Sequence, residues 1–162
     1  MLKLSRTIIY ILVSVLSLPL FGLDVDFDID KILSDANRSK KHIMIFLHKD
    51  NCGYCERMLF NLDDKNITKA IKRDFILLDI NRDDDERVSY QGFNGTNSNF
   101  IKALGIDFYP SIVFIDGFSD KIIYGVSGYR DKEKLMVVLD YISSKSYKKM
   151  NFEEFKDELF FN

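Results

Sequence analysis

Tryptophan is absent from this 162-residue chain, and cysteine occurs only twice. With 14 phenylalanines and 46% hydrophobic residues, the sequence predicts a soluble globular protein with a phenylalanine-rich core. An excess of one charge is lacking as well. The formal net charge is −2, and basic residues are scattered among acids, which argues against a nucleic-acid footprint. No repeat and no low-complexity linker divides the chain, so its length reads as one domain with room for a real core. No cysteine follows the early apolar run, so a lipid-modified N-terminus is not supported.

That apolar run lies at residues 8–18, after Lys3 and Arg6 and before Pro19. A short positive stretch, an apolar core and a helix breaker lay out a secretory signal over residues 1–22. Leu20 is bulky for its place if the cut follows Gly22. The other reading is an uncleaved membrane anchor, although the run is short for a full span. Either reading puts residues 23–162 outside the cytosol, in the periplasm.

The two cysteines stand three apart in Asn51-Cys52-Gly53-Tyr54-Cys55-Glu56. A buried strand, His42 to His48, is predicted before them and a helix, Glu56 to Leu62, after them. A C-x-x-C at a strand-to-helix junction puts the first thiol at the positive end of a helix and within bonding reach of the second. That arrangement suits a reversible disulfide. A passive structural bridge is the weaker reading, because so small a loop removes little unfolded-state entropy.

Apolar spacing predicts further elements. Residues 28–38 form a helix capped by Asp28 or Asp30, and 66–73 a short second helix. Phe75 to Ile80 is an uninterrupted apolar run, as expected of a central strand buried on both faces. Val88 to Gly95 suggests a hairpin turning at Asn94-Gly95. A helix follows over 97–104, ended by Gly105. Ser111 to Ile115 and Lys121 to Val126 pair antiparallel across Asp116-Gly117. Asp131 to Ser143 is a strong helix. The tail carries Phe152, Phe155, Leu159 and Phe160 at helical spacing, either packed on the domain or exposed to a partner. Early strands joined through helices imply a parallel pair. The fold class is therefore α/β, a mixed central sheet flanked by helices.

With Pro110 preceding the strand 111–115 and Gly128-Tyr129 preceding the last strong helix, these features resemble the thioredoxin superfamily. The segment Gly105-Ile106-Asp107-Phe108-Tyr109-Pro110-Ser111-Ile112-Val113-Phe114 is similar to its proline signature. The resemblance covers about residues 28–144 and implies a thioredoxin-like fold. An insertion over 88–104 and Tyr147 in the tail are similar to exported proteins of the SoxW kind. Several residues depart from the family pattern. Asn51 replaces a tryptophan, Gly53-Tyr54 replaces Gly-Pro, and Phe46 stands where a buried acid is usual, so no general base for the second thiol is evident. Gly53-Tyr54 is shared with DsbC-type isomerases, but the chain has no room for their dimerisation domain.

The resemblance assigns catalysis to Cys52 and Cys55. Cys52, at the helix start, is the attacking thiolate, its pKa below the free value of roughly 8.5. His48 and Lys49 favour that thiolate if they face it, and Glu56 opposes it. Cys55 is the resolving thiol. Gly53 lets the loop turn tightly. Tyr54 lines the rim and touches substrate, or is a plain surface aromatic. A cis Pro110 brings the Tyr109 backbone beside the cysteines, where a substrate strand can pair with it. No cofactor is implied. A metal site from Cys52, Cys55 and His48 lacks an evident fourth ligand, and the acidic run 83–86 reads as a solvated turn. The expected function is a periplasmic thiol–disulfide oxidoreductase, a monomer that reduces protein disulfides with electrons from a membrane donor. A disulfide oxidant or isomerase and a thioredoxin-like metal carrier are the alternatives.

Overall fold

The computed structural model describes residues 25–161; the leader over residues 1–22 lies outside them. The chain enters through a two-residue strand, β1 (Phe27–Asp28), and turns directly into α1 (Ile29–Ser39). Asp28 caps α1 by accepting a hydrogen bond from the Lys31 amide, satisfying one of the free N–H groups of the first turn. Strand β2 (His42–His48) and helices α2 (Gly53–Leu62) and α3 (Lys65–Asp74) follow, then strand β3 (Phe75–Asn81). A hairpin, β4 (Arg87–Tyr90) and β5 (Phe93–Thr96), leads to α4 (Asn97–Ala103). Strands β6 (Ser111–Ile115) and β7 (Ile122–Ser127) precede α5 (Lys132–Ser143) and the terminal helix α6 (Phe152–Phe161).

Four strands form the main sheet in the order β3-β2-β6-β7, with β2 parallel to β3 and antiparallel to β6. A second sheet orders β1-β4-β5. The main sheet has one core on each face because side chains alternate along β2. Met44 and Phe46 point into a core with Met58, Ile67, Phe114, Leu135 and Ile142. Ile43, Ile45 and Leu47 point into the other, with Ile29, Leu33, Val88 and Phe100. Burying each such side chain contributes about 1.5–3 kcal/mol, so β2, buried throughout except at His48, is the centre of the fold.

Three expectations are corrected. Strand β3 is an edge of the main sheet, not a central strand buried on both faces: Leu78 and Ile80 are buried and Ile76 half-buried, while Leu77 and Asp79 reach solvent. The hairpin exists but turns at Gln91-Gly92, where both residues have positive φ (47° and 85°), as a tight primed turn requires. Asn94 and Gly95 lie within β5. The tail is divided: Phe155 is buried against the domain while Leu159 and Phe160 are exposed. Asn151 and Glu154 exchange hydrogen bonds at the start of α6, closing a capping box.

Other expectations hold. Gly105 takes a left-handed conformation (φ 71°) after α4, and the Ile106 amide returns to the Ile101 carbonyl, ending the helix as glycine does. Among the described residues, no helix is long and apolar enough to cross a membrane.

Candidate active site

Cys52 is the N-cap of α2, and its sulfur accepts a hydrogen bond from the Cys55 amide at 3.2 Å. The two sulfurs are joined as a disulfide, with Cα atoms 5.2 Å apart. Cys52 is half-buried and Cys55 is 2% exposed, so solvent reaches only the first sulfur readily. A thiolate released at Cys52 therefore faces free N–H groups of the first helical turn, which stabilise negative charge there.

Gly53 does not make the turn. It is the first residue of α2, and a side-chain carbon at that position meets nothing within 4 Å. The left-handed residue is Asn51, with φ 53°; asparagine tolerates that region better than other side chains with a Cβ. The loop before Cys52 is held from outside. The Arg82 amide donates to the His48 carbonyl at 2.8 Å, the Asp50 amide to Asp83 at 3.0 Å, and Asn81 Nδ2 to Asp50 at 2.9 Å. The acidic run thus braces the cysteine loop as well as facing solvent.

Strand pairing brings Pro110 to the same end of the sheet. Leu47 pairs with Ser111, so one step further along that register His48 and Pro110 stand across from each other. The Tyr109-Pro110 peptide is cis. Its loop is fixed by hydrogen bonds from Ser111 Oγ to the Phe108 carbonyl and from the Gly128 amide to the Pro110 carbonyl. Pro110 is buried and Tyr109 half-buried, with Lys49 Nζ 5.9 Å from the Tyr109 ring centre. Burial pushes the Tyr109 phenol up.

Exposed rings stand on the proline loop and along α2. Tyr54 is 59% exposed, with the Arg57 guanidinium 5.6 Å from its ring centre and the Tyr129 ring 6.0 Å away. Phe108, two residues before the proline, is 73% exposed, and Phe60 on α2 is 71% exposed. Neither was anticipated, because single exposed phenylalanines leave no sequence pattern. Asn61 was missed for the same reason. Its side-chain amide donates to Tyr129 Oη and to the Arg130 carbonyl, fastening α2 to the turn after β7.

His48 is tied down by Nε2 lying 2.9 Å from Asp79 Oδ1. That hydrogen bond raises its pKa, with Asp84 and Asp50 adding to the effect and burial opposing it. His42 stands at the far end of β2 and shares nothing with the cysteines. Among the described residues, no group of three histidine, cysteine or acidic side chains is placed to hold a metal ion.

A bonded sulfur pair with one accessible member can exchange with an external thiol or disulfide through a mixed-disulfide intermediate. A search of curated protein sequences returned no match. Among solved structures, the chain is similar to a thioredoxin-fold protein from Helicobacter pylori (20% identity, TM-score 0.62), covering 80% of this chain and 93% of that one. It is also similar to a thioredoxin from Thermus thermophilus (17% identity, TM-score 0.58; 74% of this chain and 86% of that one). At such identities these likenesses establish the fold. The family profile described as a thioredoxin-like domain matches residues 29–143, and the chain belongs to the thioredoxin-like domain family.

Proposed function

We propose that this thioredoxin-like protein is a periplasmic oxidoreductase that reduces protein disulfides through Cys52 and Cys55. The observation that carries the reading is the asymmetry of the bonded pair: Cys52 half-buried at a helix start, Cys55 enclosed one turn later. In the reducing direction the Cys52 thiolate attacks a substrate disulfide and forms a mixed disulfide. Cys55 then attacks the Cys52 sulfur, and the substrate leaves as a dithiol.

Tyr54, Tyr109 and Pro110 form the substrate-binding rim in this reading. The backbone beside Pro110 offers main-chain hydrogen bonds to an extended segment, and the exposed rings offer apolar contact. Basic residues followed by an apolar run at the N-terminus support export. Continued turnover outside the cytosol needs electrons from a membrane donor, since no glutathione pool maintains reduced thiols there. We take the protein to act as a monomer.

The test is a Cys55→Ala variant expressed in cells. It should hold protein substrates covalently on Cys52, released by reductant. Catching nothing, under conditions where the wild type reduces protein disulfides, would count against the assigned order of attack. A couple near about −270 mV supports reduction, and one near about −120 mV reassigns the protein as an oxidant.

A further inference from the structure

Strand β2 carries no acid at Phe46, yet a carboxylate is present beside it. Phe46 pairs with Asp79 on β3, so the two side chains share the face of the sheet that α2 covers. His48 is two residues further along that face, its ring stacked on Phe46 with centroids 5.3 Å apart and planes 16° apart. Asp79 reaches diagonally to it, and the 2.9 Å contact runs to Nε2. A carboxylate only accepts, so Nε2 carries the proton and Nδ1 becomes the basic atom of the neutral ring.

Register then sets where this ring lies relative to the sulfurs. Phe46, Leu59 and Asp79 line one groove of about 290 Å³ beside the β3 edge, so α2 passes Phe46 in the stretch that carries Leu59. Cys55 is one helical turn above Leu59, a climb of about 6 Å. His48 is two strand residues above Phe46, a climb of about 6.6 Å in the same sense. The register therefore puts the imidazole toward the turn of α2 that carries Cys55. The His48 side chain is 17% exposed and that of Asp79 is 52% exposed, so the pair reaches from the interior to solvent.

Cys55 is buried where water cannot readily take its proton, and a buried thiol is a poor nucleophile until it becomes a thiolate. We propose that His48, oriented by Asp79, is the proton acceptor for Cys55 when it resolves a mixed disulfide held on Cys52; this rests on the oxidoreductase reading above. The Cys55 S–H proton passes to His48 Nδ1. The Cys55 sulfur bonds to the Cys52 sulfur, and the bond from Cys52 to the substrate breaks. The substrate sulfur leaves with the electron pair and takes up a proton from the imidazolium or from water. The dithiol is oxidised by two electrons and the substrate disulfide reduced by two. Asp79 is a positioning residue. The charged groups acting on the ring are Asp79 on β3, Asp84 in the loop beyond it and Asp50 on the cysteine loop; Glu56, next to Cys55 on α2, is exposed. Three carboxylates hold positive charge on the ring, as an acceptor needs.

The experiment loads reduced protein with an aromatic disulfide reagent (dithionitrobenzoate) and follows two steps by stopped flow. The first burst reports attack by Cys52. The second reports release of the reagent thiolate from Cys52 by Cys55. His48→Gln should leave the first rate within about twofold and slow the second by roughly 10²-fold at neutral pH, the scale of a lost general base. The pH profile of release should lose its histidine limb and rise only in the alkaline thiol range. Asp79→Asn should fall between the two. Equal release rates and profiles in wild type and His48→Gln overturn the proposal. Absence of any burst in the wild type instead overturns the oxidoreductase reading itself. Should His48→Gln fail to fold, imidazole NMR of the wild type decides. The proposal requires a protonated Nε2 in the neutral ring and a His48 titration midpoint that moves on reduction of the disulfide. The same midpoint in both redox forms, or the opposite tautomer, refutes it.

Discussion

His42 Nδ1 lies 3.4 Å from Asp116 Oδ1, both side chains almost wholly enclosed, at the end of the sheet remote from the cysteines. The contact does not complete a hydrogen bond to the ring nitrogen. Asp116 instead accepts from the Phe118 amide, Ser119 Oγ and Tyr147 Oη. Burial lowers the His42 pKa below 6.5; Asp116 opposes this, and Lys145 and Lys148 assist it. Burial raises Asp116, but those donated bonds outweigh it and bring its pKa below the usual value.

The pH dependence of stability follows from these signs. A histidine whose pKa is lowered by folding stabilises the protein above 6.5, and that contribution is lost as pH falls toward the folded value. His48, whose pKa is raised, contributes fully below 6.5 and loses its contribution as pH rises through the folded value. Urea midpoints of the oxidised protein between about pH 8 and pH 5 should therefore change in opposite directions in the two variants. His42→Phe should lose part of the acid-side decline, and His48→Gln should steepen it. Parallel curves for all three proteins would contradict the assignment.

The two glycines at opposite ends of the sheet should respond oppositely to alanine. A Cβ on Gly117 stands 2.0 Å from the Lys41 carbonyl oxygen, a backbone atom that cannot step aside. Gly117→Ala should cost about 1–3 kcal/mol or more, as overpacking does, and lower the melting temperature. Gly53 has open space, and Gly53→Ala should be neutral or stabilising by up to about 1 kcal/mol.

The terminal helix offers a contrast within one element. Phe155 is 9% exposed and packs on Tyr141, with ring centroids 5.3 Å apart. Phe155→Ala should cost about 3 kcal/mol in chemical denaturation. Phe160 is 68% exposed, and Phe160→Ser should stay within about 0.5 kcal/mol of wild type.

Tyr54 and Phe108 should separate large substrates from small ones. Both rings are more than half exposed, so their replacement by serine leaves stability within about 0.5 kcal/mol. Reduction of a protein disulfide should slow in both variants through a higher KM, while the rate with a small aromatic disulfide is kept. Equal losses on both substrates would remove the rim from recognition.

Much of this arrangement was legible in the sequence, for reasons that also explain the misses. Strands β2 and β6 announce themselves as short continuous apolar runs, and helices α1, α3 and α5 because their apolar residues repeat at the helical period. The cysteine spacing and Pro110 marked two loops that the structure brings to one end of the sheet. An apolar run cannot tell an edge from a centre, however. Ile76 and Leu77 look as buried as Ile45 but are half-covered and exposed. Asn94-Gly95 carries the stronger hairpin signal, yet the pairing of Arg87 with Thr96 puts the turn at Gln91-Gly92. His48 meets Asp79 across 31 residues of chain, and Tyr147 meets Asp116 across the same interval. Only strand order creates such neighbours, and no local pattern encodes them.

The stitching of the cysteine loop to Asn81, Arg82 and Asp83 has one more consequence. Its anchors are main-chain groups, carboxylates and the Asn81 side-chain amide, none of which takes part in the sulfur bond. Making or cutting that bond then asks for rotation about a few side-chain torsions while the path of the polypeptide stays put. A redox carrier built this way can cycle without repeatedly reorganising its own scaffold.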